Sequence, residues 1–145
     1  VIIKPSKLTP LTTLRLFEVA FQYLPEGVVQ VLPGYGTETG EALVLHPDVA
    51  VIALTGSLAV GQRLAELAGP RMKKLHLELG GKDPMVIGQD VDLELAVKAL
   101  AYSGLINAGQ VCTSTERVYV PRGRYVAFGD MLAEYVRELR VGDGL

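Results

Sequence analysis

Cys112 sits in Asn107-Ala108-Gly109-Gln110-Val111-Cys112-Thr113, a polar stretch containing glycine, whereas structural cysteines hide mostly in apolar runs. A thiolate presented by such a loop is a nucleophile, although a lone cysteine is commonly an inert small hydrophobe, so residue type leaves both readings open. Glu78 lies in Leu75-His76-Leu77-Glu78-Leu79, directly before Gly80-Gly81. Burial in that apolar run would raise its pKa and suit it to general-base work. The same run equally allows Lys74, His76 and Glu78 to point together into solvent, because side chains alternate faces along a strand. His76 itself is read as structural. Thr55-Gly56-Ser57, with Gly61 one helical turn further on, offers free backbone N–H groups and the positive end of a helix dipole to an anion such as phosphate. Its spacing is neither GxGxxG nor Walker A, and an ordinary serine-capped helix is the simpler reading. Lys4, at the end of the first apolar run, lies either on the edge where open α/β sheets take ligands or at a solvated strand end.

Short β-branched runs alternate with amphipathic stretches through the first half, the pattern of a sheet fed by crossover helices. Val1 to Lys4 reads as a strand. Thr9 is the expected N-cap and Pro10 the first residue of a helix whose buried face is Leu14, Phe17, Val19, Ala20 and Leu24. Pro25-Glu26-Gly27 ends it, Val28 to Leu32 is a second strand, and Pro33-Gly34-Tyr35-Gly36 turns into a helix over 37–45. After the breaker His46-Pro47-Asp48, a buried strand is expected at Val51 to Leu54, then a Ser57-capped helix burying Val60, Leu64 and Leu67. Gly61 inside that helix costs about 1 kcal/mol relative to alanine, which points to close packing against a strand or a cofactor. A fourth strand spans Lys74 to Leu79, and Gly80-Gly81 marks the boundary between domains 1–79 and 80–145. The second domain reads as a strand at Met85 to Ile87, a helix over 93–105, a loop over 107–113, a strand at Arg117 to Val120 and a helix over 125–139. The start without methionine and the turn-like end at 141–145 are read as those of a fragment, with some edges expected to be exposed.

Of the 145 residues 49% are hydrophobic and 21% charged, with 14 basic against 16 acidic side chains, a globular composition. A net charge of −2 without a basic cluster gives no footprint for nucleic acid or an anionic membrane surface. One cysteine allows no internal disulfide, and no Cys/His spacing suggests a metal site, so a reducing cytoplasm is the expected compartment. No apolar run approaches the roughly 20 residues of a spanning helix.

Leu77-Glu78-Leu79-Gly80-Gly81-Lys82 and Gly109-Gln110-Val111-Cys112 resemble the two signatures of the aldehyde dehydrogenase superfamily. Lys4-Pro5-Ser6 with Thr9-Pro10-Leu11, Pro33-Gly34-Tyr35-Gly36, Thr55-Gly56-Ser57 and Arg117-Val118-Tyr119-Val120 resemble further segments of that family, in its order and over essentially the whole chain. The resemblance implies an α/β fold: a Rossmann-like cofactor domain with an open parallel sheet, followed by the start of an α/β catalytic domain. It implies Cys112 as nucleophile and Glu78 as the base that activates the deacylating water. For NAD or NADP it implies Lys4 on the adenosine ribose, Gly34 near the adenine, Ser57 and the N-terminus of its helix on the pyrophosphate, and Ser6, Lys7 and Gly56 as further cofactor-binding residues. Val60 would pack near the adenine, and Leu79 and Gly80 would line the nicotinamide pocket.

Lys7 departs from the NAD-preferring pattern, where many members carry a glutamate that repels a 2′-phosphate, and acceptance of NADP is therefore expected. Gly80-Gly81-Lys82-Asp83-Pro84 and Cys112-Thr113-Ser114-Thr115-Glu116-Arg117 look most like succinate-semialdehyde dehydrogenase-type members. The implied partners are a small aldehyde and further copies of the parent chain, as a homo-dimer or homo-tetramer. The family's oxyanion-binding asparagine, its second cofactor glutamate and its oligomerisation strands fall outside these residues. Two competing readings are cysteine-dependent acyl transfer or thioester hydrolysis without nicotinamide, and a catalytically silent fragment. The first would need a partner for Cys112, and neither His46 nor His76 has the context of a nucleophile's base.

Overall fold

Parallel strands cannot be joined by a tight turn, so each pair needs a crossover, and the sequence supplies a helix for each. The computed structural model describes residues 1–143; Gly144 and Leu145, the end of the expected C-terminal turn, lie outside the described residues. The first unit contains β1 (Ile2–Ile3), α1 (Leu11–Ala20), β2 (Gln30–Val31), α2 (Glu41–Leu45), β3 (Val51–Thr55), α3 (Leu58–Ala68) and β4 (Lys74–Glu78). The second contains β5 (Asp83–Val86), α4 (Leu93–Leu105), β6 (Thr115–Tyr119) and α5 (Tyr125–Arg137). The chain divides into these two compact units between Leu79 and Gly80.

All the strand pairs described are parallel: β1 with β2, β3 with β4, and β5 with β6. The α/β class is as expected, but the first unit's strands form two separate pairs rather than one continuous open sheet. β1 and β2 each put only two residues into their ladder, leaving little backbone to carry pairing further. β3 and β4 run in full register from Val51 opposite Lys74 to Thr55 opposite Glu78.

The first unit's core is Val44, Leu64 and Ala68, packed against Ile52, Leu54, Leu67 and Leu75. β3 is not buried on both sides: Ile52 and Leu54 face the core while Val51, Ala53 and Thr55 are exposed. The inward face of α3 is Gly61, Leu64 and Ala68, and Val60, expected inside, is 46% exposed. The phase is set by Gly61, where a Cβ would lie 2.8 Å from Leu79 Cδ2. The expected close packing at this glycine is therefore against the residue following β4. Arg63 of α3 donates from Nε and Nη2 to the two carboxylate oxygens of Glu41, at 3.0 and 2.9 Å, tying α2 to α3. This hydrogen-bonded guanidinium holds the Glu41 carboxyl below its ordinary pKa.

Two expectations for α1 fail. Pro10 occupies the capping position, already at helical φ −80°, and no side-chain cap bond forms, so Thr9 is one residue too early. No α1 residue is fully buried; Leu14, Phe17 and Ala20 are half-buried, while Val19 and Leu24 are exposed. The helix stops at Ala20 and tightens into a 3₁₀ turn over Phe21–Tyr23, which changes the angular step per residue and takes Leu24 off the apolar stripe.

In the second unit Ile87, Ala96, Val97, Leu100 and Phe128 form the core, packed by Met85 and Val118 from the strands and by Met131 and Leu132 from α5. Asp92 caps α4, its Oδ1 accepting from the N–H of Glu94 at 2.9 Å and of Leu95 at 3.4 Å. Truncating Phe128 to alanine is expected to cost about 3–5 kcal/mol in urea unfolding, the range for a buried phenylalanine. Val60→Ala, on the open face of α3, is expected to cost less than about 0.5 kcal/mol in the same measurement.

Candidate active site

In a parallel pair both carboxyl ends fall on the same edge, and in open α/β sheets ligands bind beyond that edge. Each expected cofactor residue of the first unit follows such an end or lies in the first turn of the helix beyond it: Lys4, Ser6 and Lys7 after β1, Gly34 after β2, Gly56, Ser57 and Val60 after β3, Leu79 after β4. Lys4 is half-buried and its Nζ donates to the carbonyls of Pro5 at 2.7 Å and Gly34 at 3.4 Å, so the ammonium bridges the ends of β1 and β2. Gly34 has φ +151°, and a Cβ there would lie 2.0 Å from Thr39 Oγ1. Ser6 Oγ accepts from Leu8 N–H at 3.2 Å, shaping the turn that carries Lys7. The Lys7 ammonium lies 5.2 Å from the centre of the Tyr35 ring, a cation–π distance.

Ser57 is the N-cap of α3, accepting from Val60 N–H at 3.3 Å. Gly56 does not offer the free N–H expected of it, since that group donates to the Glu78 carbonyl at 3.0 Å and extends the β3–β4 ladder by one bond. The groups left open to an anion at the start of α3 are the N–H groups of Leu58 and Ala59, those of Val60 and Gly61 being taken by the Ser57 hydroxyl and carbonyl. Leu79 is half-buried with its methyls against Gly61.

Glu78 is not buried in the apolar run. Its side chain is 68% exposed, with Oε1 3.6 Å from His76 Nε2, and Lys74, His76 and Glu78 share the outer face of β4. Leu75 and Leu77 alternate inward, and this decides the face that Glu78 must take. Water reaches the carboxylate freely. His76, read from the sequence as structural, is its near neighbour.

In the second unit the exposed Cys112 follows a short 3₁₀ segment over Ile106–Gly109. Asn107 and Ala108 have φ of 52° and 57°, and Gly109 of 75°, three left-handed residues in succession. Asn107 Nδ2 donates to the Gln110 carbonyl at 3.2 Å, and Gln110 N–H donates back to the Asn107 carbonyl at 3.1 Å. Gly81 backs the loop: a Cβ there would lie 3.4 Å from the Cys112 carbonyl oxygen and 2.7 Å from Asp83 Oδ1. Gly80, by contrast, has open space where a Cβ would stand. Lys82 pairs with Glu116 at 2.6 Å, and Arg117 Nε donates to the Lys82 carbonyl at 2.8 Å. Sequence reasoning missed Gly81 as the support of the Cys112 backbone. It also missed Tyr35, an aromatic between two glycines that reads locally as turn filler.

The first-unit donor set comprises two ammonium groups, two hydroxyls and the open N-terminus of an eleven-residue helix, all following strand ends. That chemistry fits a dinucleotide, which brings a pyrophosphate and ribose hydroxyls. A separate concavity of about 470 Å³, lined by Leu45, Pro47, Arg71 and Lys73 among others, lies at the amino ends of β3 and β4, away from these donors.

Residues 1–145 match the family model for the aldehyde dehydrogenase family. The chain is 44% identical over 145 residues to the mitochondrial succinate-semialdehyde dehydrogenase of Arabidopsis thaliana, covering 99% of this chain and 28% of that protein. Among solved structures it resembles an NAD-dependent aldehyde dehydrogenase from Sinorhizobium meliloti, with a TM-score of 0.94 and 40% identity over 100% of this chain and 29% of the other. It also resembles an NADP-dependent enzyme from E. coli, with a TM-score of 0.91 and 37% identity over 99% of this chain and 30% of the other. The chain thus spans less than a third of the length of these relatives. For the loop that carries Cys112, Gly81→Ala is expected to cost about 1–3 kcal/mol by overpacking, measured as a urea midpoint shift. Asp83→Ala should recover part of that loss.

Proposed function

The chain belongs to the aldehyde dehydrogenase family, and on that premise we propose that the protein carrying it oxidises a small aldehyde to the carboxylic acid with NAD or NADP. The observation that carries this reading is the exposed Cys112 thiol at the end of a hydrogen-bonded, left-handed loop, backed by the glycine of the Glu78 signature. Residues 1–79 supply most of the cofactor-binding domain in this reading, and 80–145 the start of the catalytic domain.

Cys112, as thiolate, attacks the aldehyde carbon, forming the C–S bond of a thiohemiacetal whose oxyanion is held by the Cys112 backbone N–H. A nicotinamide cofactor, when bound, would supply the acceptor for the hydride that leaves this carbon, and Cys112 would then hold that carbon as a thioester. Glu78 takes a proton from water, the resulting hydroxide adds to the thioester, and the C–S bond breaks to return the thiolate and release the acid. The exposure of Glu78 supports this role, since the base of a hydrolytic step must reach water. Lys4, Ser6 and Gly34 hold the adenosine side, Gly56, Ser57 and the α3 N-terminus the pyrophosphate, with Val60 beside the adenine and Leu79 and Gly80 beside the nicotinamide. Gly56 acts here through its backbone position, its N–H being committed to Glu78.

The Arabidopsis relative makes succinate semialdehyde the first substrate to test. Lys7 supports acceptance of NADP, because a cation there attracts the 2′-phosphate that a carboxylate would repel. An exposed nucleophilic thiol needs a reducing compartment; we keep the cytoplasm as that compartment, beside a relative that is mitochondrial. No helix among the described residues is long and apolar enough to cross a membrane. We also propose a homo-dimer or homo-tetramer, to be read by light scattering of the full-length protein.

Cys112→Ala is expected to abolish formation of reduced cofactor in the full-length enzyme while leaving NAD and NADP binding intact. Turnover retained in that variant overturns the mechanism. Glu78→Gln is expected to keep the stopped-flow burst of reduced cofactor and slow steady-state turnover by roughly 10²-fold or more, the scale of a lost general base. Replacing Lys7 with glutamate is expected to weaken NADP binding relative to NAD in a fluorescence titration. An unchanged ratio removes Lys7 from cofactor selection.

A further inference from the structure

The left-handed run Asn107-Ala108-Gly109 needs an explanation. Glycine tolerates this conformation and asparagine offsets it with a local side-chain bond, here to Gln110, but Ala108 has neither resource. Such a residue persists only when its surroundings over-determine it. Resting on the reading of Cys112 as the nucleophile, we propose that Ser114 is a positioning residue: its hydroxyl holds the left-handed run in place and thereby fixes how the loop presents the Cys112 thiol.

Ser114 is the buried polar side chain of this region, only 3% exposed. Its Oγ donates to the Gly109 carbonyl at 3.2 Å, and its N–H donates to the Val111 carbonyl at 3.0 Å. The first bond spans Cys112, joining the residue that ends the left-handed run to the residue two beyond the thiol. The Asn107–Gln110 bonds close only the preceding turn, so the Ser114 hydroxyl is the side-chain link that ties the two flanks of Cys112 together. Ser114 is itself anchored. The next residue, Thr115, opens β6, and its Oγ1 lies 2.9 Å from Ser103 Oγ on α4. Two glycines allow this close approach, since a Cβ on Gly104 would lie 3.2 Å from the Thr115 carbonyl oxygen and one on Gly109 would lie 3.3 Å from the Gly104 carbonyl oxygen. Without the Ser114 hydroxyl the part-buried Gly109 carbonyl loses this partner and the loop loses the restraint that opposes relaxation of Ala108.

The test uses the full-length enzyme, with two readouts: the rate of Cys112 alkylation by iodoacetamide and the separate kcat and KM for succinate semialdehyde. In Ser114→Ala, alkylation and kcat are each expected to fall roughly fivefold, the scale of one lost hydrogen bond, with KM unchanged. Adding Ala108→Gly is expected to restore both to within about twofold, because glycine adopts the left-handed conformation without the hydroxyl's help. Ser114→Thr, which keeps the hydroxyl, should behave as wild type even if the alanine variant folds poorly. Unchanged alkylation and kcat in Ser114→Ala overturn the proposal. So does a loss that Ala108→Gly cannot rescue, or an equal loss in Ser114→Thr, either of which makes Ser114 a packing residue. Cys112→Ala separates the two levels of the argument: turnover retained in that variant removes the nucleophile reading itself, and with it any catalytic role for the positioning of Cys112.

Discussion

Two parallel strands end on the same edge, and the ladder from Val51 opposite Lys74 to Thr55 opposite Glu78 therefore delivers Gly56-Ser57 and Glu78-Leu79 to one edge of the first unit. The hydrogen bond from Gly56 N–H to the Glu78 carbonyl prolongs that ladder just to the point where the two chains part. From there one continues into α3 with the Leu58 and Ala59 N–H groups open, and the other carries an exposed carboxylate. Gly61 sets the depth at which α3 lies on this arrangement, because only a residue without Cβ leaves room for the Leu79 methyls. A Cβ there would lie 2.8 Å and 2.9 Å from the two Leu79 methyls, so either Leu79 or the helix would have to shift.

The second unit solves a different problem. A reactive thiol must be accessible to solvent yet held still, and accessible loops are ordinarily mobile. Here the exposed Cys112 is bracketed by groups with little freedom: a left-handed run on one side, the buried Ser114 and the start of β6 on the other, and the Gly81 backbone behind its carbonyl. α4 supplies the anchor through Ser103, and α4 is in turn fixed by its Asp92 cap and by Ala96, Val97 and Leu100 in the core. The chain of support from core to thiol passes through hydrogen bonds, because glycine-rich loops have few apolar contacts to offer.

The proposed function assigns these two local designs to one reaction scheme. The solved relatives include both an NAD-dependent and an NADP-dependent protein, so the fold accommodates either cofactor and the choice falls to individual side chains. The exposed Lys7, 5.2 Å from the centre of the exposed Tyr35 ring, is the side chain to which the proposed function gives that choice. The chain spans less than a third of its relatives, and apolar side chains such as Val51, Val86 and Tyr119 stand exposed on its strands.

Much of this was legible in the residues themselves. The alternation of β-branched runs with capped helices gave the α/β class, and the bounds of α4 and the Ser57 cap follow from local chemistry that no distant contact overrides. The order of the signature segments pointed to the family, which the family match bears out over residues 1–145. Facing and phase were not legible. A strand of alternating character fits either face until its helix is placed, which is why the sequence left Glu78 open between burial and solvent, and it stands exposed. A helix's inward stripe depends on what it packs against, which is why Val60 points outward while Gly61 lies inside. The capping of α1 failed by one residue for the same reason, since the helix start is fixed by where the β1–β2 crossover must begin. The sequence by itself thus determined the elements and the family, because these depend on residue type and near neighbours. Only the tertiary structure decided which face each side chain took and which groups, Ser114, Gly81 and Tyr35 among them, lie against the candidate residues, because neither facing nor loop closure can be read from residue type alone.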